Sequence, residues 1–403
     1  LTSITVEPGN PSYASADGVL FNASMTDLIL CPMGKIGEYI IPATVNHLGS
    51  LAFEDCIGLT NVTIPGSITT MGDGAFKGCT GLTSVTIPGG IRSVDWGFAV
   101  VAVGVFRGCS GLTSVTLSEG LSEIWDAMFS GCTGLTSVTV PASVARIGGG
   151  DCVQWFGCPV GAFSNCSRLT SVTLSEGLSE IGYGTFQGCT SLRKVTIPSS
   201  VTKIGDAAFL GCTGLTTIRI PEGVSYLADR LFEDCVNLTS VTLPSSTTRI
   251  DSGAFANCAG LTRLTIPENL ERIYYPRDYP YNRQPAFLGC SSLSAVFFLG
   301  DAPEVEASAF SGTADDFRIY YLSGSNGFTQ PRWRGMRSRK IKLSEYPAAP
   351  WLLTHNLDYD AVLAEDHSGD GVPLLMAYAL NLNPNQNPRD SMPRVVAGSN
   401  GMS

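Results

Sequence analysis

The feature of this sequence that most constrains its fold is a unit of 23 residues that recurs along most of the chain. A repeat of this length predicts a stack of equivalent coils, each covered by its neighbours, and excludes a set of independent globules. An eleventh unit keeps Phe310 but has Thr313 in place of the cysteine of the Phe-x-x-Cys motif. Ten full copies align on that motif, at Phe53/Cys56, Phe76/Cys79, Phe106/Cys109, Phe129/Cys132, Phe163/Cys166, Phe186/Cys189, Phe209/Cys212, Phe232/Cys235, Phe255/Cys258 and Phe287/Cys290.

Each unit contains one segment with the alternation of a half-buried strand. In LTSVTIP, residues 82–88, Leu82, Val85 and Ile87 are predicted to point inward, with the hydroxyl residues between them facing out. The proline ends the strand because it cannot donate to the ladder. We expect a column of outward threonines, which suits an exposed strand and could also meet a glycan. The column comprises Thr5, Thr63, Thr86, Thr116, Thr139, Thr173, Thr196, Thr242 and Thr265, interrupted by Arg219.

A second apolar pair, such as Val201 and Ile204, is expected to close the opposite wall of each coil. One coil buries about six large apolar side chains at ~2 kcal/mol each, which does not offset the ordering of its backbone at ~1 to 2 kcal/mol per residue. Stacking is therefore obligatory. The predicted fold is a leucine-rich repeat solenoid of roughly 13 coils, β-rich, curved or superhelical, with a parallel sheet on its concave side.

The recurring cysteine is predicted to form a buried column in which each thiol acts as a small apolar group. Disulfides between neighbouring coils remain the alternative, because the stacking distance falls inside the disulfide range. Zinc is disfavoured, since the column has no Cys-x-x-Cys pair and no histidine partner. Cys31, Cys152 and Cys158 lie off the column, and the last two can form a disulfide in an oxidising compartment or stay as free thiols.

Units such as LTNVTIPGSITTMGDGAFKGC and VTIPSSVTKIGDAAFLGC resemble the BspA-type leucine-rich repeats of bacterial surface proteins. The resemblance covers about residues 1–345, including an irregular, hairpin-bearing unit at about 10–50 and a terminal unit at about 310–345. It implies a secreted or cell-surface location, and adhesion or protein binding in place of catalysis.

The segment EDHSGDGVPLLMAYALNLNP, in the expected small and partly disordered region 346–403, is similar to an aspartate-rich segment found in many large secreted bacterial proteins. Asp366, Ser368, Asp370 and Val372 would be the calcium ligands, through three side chains and one carbonyl. Apolar residues occupy two later ligand positions, so binding is expected to be weak. The alternative is a helix N-terminus followed by packing of LLMAYAL.

The sequence offers no recognisable catalytic motif. Only three histidines are present, and no zinc-protease, serine-hydrolase or phosphate-binding pattern occurs. We expect no enzyme and no cofactor beyond weak calcium. A net charge of −10 disfavours nucleic acid as a partner, and no apolar run is long enough for membrane insertion. The basic segment RWRGMRSRKIK, residues 332–342, is interpreted as a solvated cap edge, with an anionic-ligand patch as the alternative.

Three coils are longer than the rest, and their insertions are the candidate binding loops. All three enter between the second wall and the Ala-Phe turn, so they are expected on one side of the solenoid. Aromatic and arginine side chains of this kind favour binding, whereas packing on the solenoid is the alternative. The residues are Trp96 and Phe98 in the first, Trp155 and Phe156 in the second, and Tyr274, Tyr275, Arg277, Tyr279, Tyr281 and Arg283 in the third.

These patterns predict a recognition or adhesion protein that binds an extracellular protein or glycan through the solenoid face and the aromatic insertions. The alternative is a structural spacer or assembly subunit of a larger extracellular protein, with no small ligand. A strand over Leu1–Val6 is predicted to leave an unpaired edge. We expect either more protein upstream of that edge or self-association through it.

Overall fold

A computed structural model describes residues 1–95, 103–148, 160–273, 284–342 and 349–354. Its elements, in chain order, are β1 (Tyr13–Ala16), β2 (Val19–Asn22), β3 (Asp27–Leu30), β4 (Gly37–Ile40), β5 (His47–Leu48), β6 (Leu59–Thr63), β7 (Thr70–Gly72), β8 (Ser84–Ile87), β9 (Ser93–Asp95), β10 (Ser114–Leu117), β11 (Glu123–Ile124), β12 (Ser137–Val140), β13 (Arg146–Ile147), β14 (Ser171–Leu174), β15 (Glu180–Ile181), β16 (Lys194–Val195), β17 (Lys203–Ile204), β18 (Thr217–Arg219), β19 (Tyr226–Leu227), β20 (Ser240–Thr242), β21 (Arg249–Ile250), β22 (Arg263–Ile266), β23 (Arg272–Ile273), β24 (Ala295–Phe298), β25 (Glu304–Val305), β26 (Arg318–Leu322), β27 (Arg332–Trp333), β28 (Met336–Ile341) and α1 (Ala349–Thr354).

Two walls of parallel strands run along the stack, as the alternation predicts. The strand face is formed by β4, β6, β8, β10, β12, β14, β16, β18, β20, β22, β24, β26 and β28, and the second wall by β5, β7, β9, β11, β13, β15, β17, β19, β21, β23 and β25. Pairing is in register from coil to coil: Val85 lies beside Val115, and Thr86 beside Thr116. The predicted leucine-rich repeat solenoid is thereby confirmed.

The core between the walls is built from the residues that recur. Leu82 and Ile87 are fully buried, and so are Val201 and Leu227 of the second wall. The ten phenylalanines of the repeat form one column that continues to Phe310, with successive ring centroids 4.7 to 5.9 Å apart and rings nearly parallel. Offset stacking of this kind adds to the area that the rings bury. The column therefore ties every described coil from Phe53 onward to both neighbours.

The cysteines follow the phenylalanines as a second buried column, and all eleven described cysteines are free and buried. From Cys79 to Cys290, each Sγ–H donates to the carbonyl oxygen of the repeat phenylalanine in the preceding coil, at 3.0 to 3.2 Å. The cysteine thus satisfies a buried acceptor as well as filling space.

The N-terminal end departs from the prediction. Leu1–Val6 forms no strand, and the outermost strand of the face in the described chain is β4. The irregular unit is the reason, since the Ile4 amide donates to the Gly18 carbonyl, in the turn of the β1–β2 hairpin, at 2.9 Å. The expectation of an unpaired strand edge at Leu1–Val6 is therefore wrong, and self-association through it loses its basis.

At the C-terminal end, the β27–β28 hairpin is the last described element of the strand face, and α1 packs against the outward side of that face. Leu353 is buried in a small apolar cluster with Phe297, Leu322 and Ile341. The Thr265 hydroxyl donates to the Leu353 carbonyl at 2.9 Å. Part of the outward side of the last strands, at Phe297 and Tyr320, is thus apolar and packs against this cluster.

Candidate interaction surface

The outward side of the strand face changes chemistry along the molecule. The five strands β6, β8, β10, β12 and β14 carry no charged residue, and their outward positions are Ser, Thr or Asn. Thr139 lies beside Thr173, and Arg219 beside Thr242, so the predicted hydroxyl column exists over the regular strands. Further along, the same column continues as Phe297 and Tyr320.

From β16 onward the face becomes cationic. The seven strands β16, β18, β20, β22, β24, β26 and β28 contain no Asp or Glu. They contain Lys194, Arg219, Arg263, Arg318, Arg337, Arg339 and Lys340, and Arg193 directly precedes β16. We name Arg193, Lys194, Arg219, Arg318, Arg337 and Arg339 the basic strip. Among the described residues, none of these six takes part in an ion pair.

Arg146 and Lys203 of the second wall, unlike the described cations of the basic strip, form ion pairs with acids on neighbouring strands. Adjacent strands place Glu123 beside Arg146, Arg146 beside Glu180, and Glu180 beside Lys203. Ion pairs follow at 2.9 Å for Arg146 with Glu123 and 2.8 Å for Lys203 with Glu180. Opposite charges on neighbouring strands stabilise a sheet modestly. Charge is thus balanced on one wall and unbalanced on the other.

The base of the first insertion is held by a buried carboxylate. β9 ends at Asp95, and the described chain resumes at 103. Asp73, only 3% exposed, accepts hydrogen bonds from the amides of Val103 and Gly104 at 2.7 and 2.8 Å. An anion that accepts two amides fixes the point at which the insertion rejoins the coil.

The base of the third insertion has a polar anchor of its own. Gln284 rejoins the coil through its amide, which donates to the Ser252 hydroxyl at 3.0 Å. The Gln284 side chain donates to the buried Glu233 at 3.2 Å, and Glu233 also pairs with Arg230. The end of this insertion at Gln284 is therefore fixed by hydrogen bonds to two side chains.

A ladder of aspartates runs beside the second wall near this anchor. Asp206 accepts the Asp229 amide at 3.2 Å, and Asp229 accepts the Ser252 amide at 3.1 Å. Burial raises the pKa of Asp229, and burial raises that of Asp251 to about 7 although Arg249, 2.7 Å away, opposes the shift. Asp206 and Asp229 are thus structural acceptors, because each binds an amide of the next coil, whereas Asp251 pairs with Arg249 of its own coil.

The predicted site residues lie outside the described residues. This applies to the insertion residues Trp96, Phe98, Trp155, Phe156, Tyr274, Tyr275, Arg277, Tyr279, Tyr281 and Arg283, to Cys152 and Cys158, and to Asp366, Ser368, Asp370 and Val372. Their roles remain predictions. What the structure adds is that β9, β13 and β23, all strands of the second wall, lead into the three insertions.

Sequence reasoning missed the anchors Asp73, Glu233 and Ser252 and the charge imbalance of the strand face. Asp recurs just after the second-wall strand in several coils, at Asp73, Asp126, Asp206, Asp229 and Asp251, which was an available signal. In the described part of the chain no group of three or more His, Cys, Asp or Glu side chains is placed to hold a metal ion. No described helix is long and apolar enough to cross a membrane.

The two walls, the buried Phe and Cys columns and the exposed strand face together define a leucine-rich repeat protein. The sequence matches the BspA type leucine-rich repeat region in six copies, over residues 32–150 and 159–277. The chain belongs to the BspA-type leucine-rich repeat family. No curated protein sequence matches it significantly.

Similar leucine-rich repeat proteins are found among solved structures. A leucine-rich repeat protein from Bacteroides ovatus is 23% identical, with a TM-score of 0.50, over 83% of this chain and 91% of that one. A leucine-rich cell surface protein from Faecalibacterium prausnitzii is 23% identical, with a TM-score of 0.43, over 82% and 99%. A leucine-rich repeat protein from Eubacterium ventriosum is 29% identical, with a TM-score of 0.45, and the match spans about half of each chain, 52%. None of these names is that of an enzyme.

Proposed function

We propose that this chain is a secreted or surface-attached bacterial recognition protein that binds an extracellular protein or glycan and catalyses no reaction. The observation that carries the proposal is the strand face, whose outward side is polar from β6 to β20 above a fully buried core. Packing is satisfied by the inward residues, so the outward residues are free to vary with a partner. The surface location rests on membership of the BspA-type family.

The aromatic insertions are the second part of the proposed surface. Rigid scaffolds commonly carry their binding residues on loops, and anchored loop bases lower the entropy lost on binding. Asp73 and Gln284 provide such bases for the first and third insertions. Weak calcium binding by Asp366, Ser368, Asp370 and Val372 is a separate part of the proposal.

The proposal is tested by screening the purified chain on arrays of glycans and extracellular proteins, with and without calcium. We expect at least one saturable ligand. Trp96→Ala combined with Trp155→Ala should weaken its binding while the protein stays folded, and Thr69→Ala on the second wall serves as the control. Absence of any ligand across both arrays would instead support a structural spacer.

A further inference from the structure

The basic strip has a definite length and direction. Lys194 lies beside Ser171 on one side and Thr217 on the other, and Arg318 lies beside Ala295, which in turn lies beside Arg263. These residues occupy one outward column. With strands about 4.8 Å apart, the column from Lys194 to Arg318 and the adjoining Arg337 spans about 30 Å. Arg219 and Arg339 lie in the neighbouring outward column, beside Thr242 and Tyr320. The strip therefore follows two adjacent columns along the stack and is not a compact cluster.

The charge of the strip is unusual for this molecule. The whole chain has a net charge of −10, yet the seven strands that carry the strip contain no acidic residue. Glu176 and Glu222, on turns that adjoin the strip, accept backbone amides of the next coil. The exposed Asp315 and Asp316 lie outside the strands, shortly before Arg318. On the second wall, in contrast, cations are paired with acids of neighbouring strands.

Hydroxyl residues surround the cations of β16 and β18. Thr217 and Ser240 lie between Lys194 and Arg263 in the column of Lys194, and Thr242 lies beside Arg219 in the neighbouring outward column, in which Thr196 precedes Arg219. α1 lies beside the strip and sits on Phe297 and Leu322, and Ala295, in the column of Lys194 and Arg318, packs against the same cluster. A ligand that fits this surface is linear, carries negative charges at intervals and presents hydroxyl groups between them.

We propose that the basic strip binds a linear acidic polysaccharide, bearing carboxylate or sulfate groups, laid along the strand face from Lys194 towards Arg337. This inference rests on the proposed recognition function and names its partner class. An acidic peptide would meet the charges but not the alternating hydroxyls, and it has no unpaired strand edge along the strip on which to add as a further strand. The glycan is therefore the partner that the surface fits best.

The test uses the full chain and four probes: a heparin-derived sulfated oligosaccharide, a polygalacturonate oligosaccharide, neutral dextran and polyglutamate. Affinities are measured by calorimetry at low and at high salt. We expect binding of at least one acidic oligosaccharide that weakens with salt, because screening reduces charge contacts. Dextran should not bind, and polyglutamate should bind more weakly than that oligosaccharide.

Matched charge variants locate the site. The strip variant combines Lys194→Gln, Arg219→Gln, Arg318→Gln and Arg337→Gln, and it should lose about tenfold or more in affinity. The control removes the same charge elsewhere, through Lys77→Gln, Arg146→Gln, Lys203→Gln and Arg272→Gln, whose side chains are paired with acids. The control should bind like the unmodified protein.

Three results would overturn the inference: no acidic oligosaccharide binds, polyglutamate binds as tightly or more tightly, or both variants lose affinity equally. The array screen described above shows whether the proposed recognition function holds when the acidic-polysaccharide inference does not. If the array screen finds a neutral glycan or a protein ligand and no acidic glycan binds, the inference about the basic strip is wrong but the proposed recognition function stands. If neither experiment finds a ligand, both the inference and the proposed function are wrong.

Discussion

At the residue scale, the turn before each cysteine requires a backbone conformation that most residues avoid. The position has positive φ in every described unit, and it is filled by Gly in most coils and by Asp55, Asn165, Asp234 or Asn257 in the others. Glycine adopts this region without strain, and Asn and Asp tolerate it better than other side chains. The short list of residue types at this position thus follows from the turn and not from any binding role.

We expect Gly211→Ala to destabilise the protein by about 1 to 2 kcal/mol, because φ is +68° there. Steric overlap is not the cause, since the nearest atom to an added Cβ is 3.8 Å away. Gly211→Asn should cost clearly less. Gly66→Ala, where φ is not positive and nothing lies within 4 Å, is the control and should stay within about 0.5 kcal/mol. Equal costs at both glycines in denaturant unfolding would refute this account of the turn.

The buried Asp251 should make stability depend on pH. Its pKa is raised to about 7 by burial, whereas that of an unfolded aspartate is about 3.9. Between these values the folded state holds a proton that the unfolded state releases, so this group lowers stability as pH rises from about 4 to about 7. In Asp251→Asn the difference in unfolding free energy between pH 5 and pH 8 should shrink.

Glu176→Gln is the matched control for the pH experiment. The amides of Ser199 and Ser200 lower the pKa of Glu176, so the stability it contributes is present above the unfolded pKa and lost at acidic pH. This variant should leave the difference between pH 5 and pH 8 unchanged. An Asp251→Asn protein that keeps the full slope would show that other groups cause it.

At the element scale, the unit of stability is the contact between one coil and the next. Phe209 stacks on Phe186 and Phe232 at 5.5 and 5.6 Å, and its carbonyl accepts the Cys235 thiol at 3.2 Å. The alternation and spacing of the sequence predicted which residues face inward. They did not predict the thiol hydrogen bond, because its acceptor belongs to a residue 26 positions earlier and depends on the shape of the turn.

Phe209→Ala should cost about 3 to 5 kcal/mol, since it removes a buried ring and leaves a cavity between two others. Coils interact with their neighbours only, so amide exchange should increase first around Phe186 and Phe232 and last at the ends of the stack. Thr196→Ala, on the exposed face, should change neither quantity. Uniform loss of protection along the chain would contradict coil-by-coil coupling.

At the scale of the whole molecule, the sequence predicted the repeat, both walls and the positions where the insertions enter. The sequence did not predict contacts between residues far apart in the chain. The contact of α1 with the strand face joins Thr265 to Leu353, 88 residues apart, and no periodicity encodes it. The prediction of a strand at Leu1–Val6 was wrong because the Ile4 amide donates to the Gly18 carbonyl in a neighbouring hairpin. The basic strip was visible only as Arg219 and the segment 332–342, since its line along the face depends on strand register.

The central claim is that the recurring Phe and Cys residues serve packing, which leaves recognition to the outward face and the insertions. Pulse labelling of thiols, mapped by peptide mass spectrometry, tests it most directly. Burial raises the pKa of Cys189 and Cys290 to about 12, so buried column thiols should resist alkylation in the native protein and react on unfolding. Labelling of Cys79 to Cys290 under native conditions, or disulfide-linked peptides among them, would contradict the account.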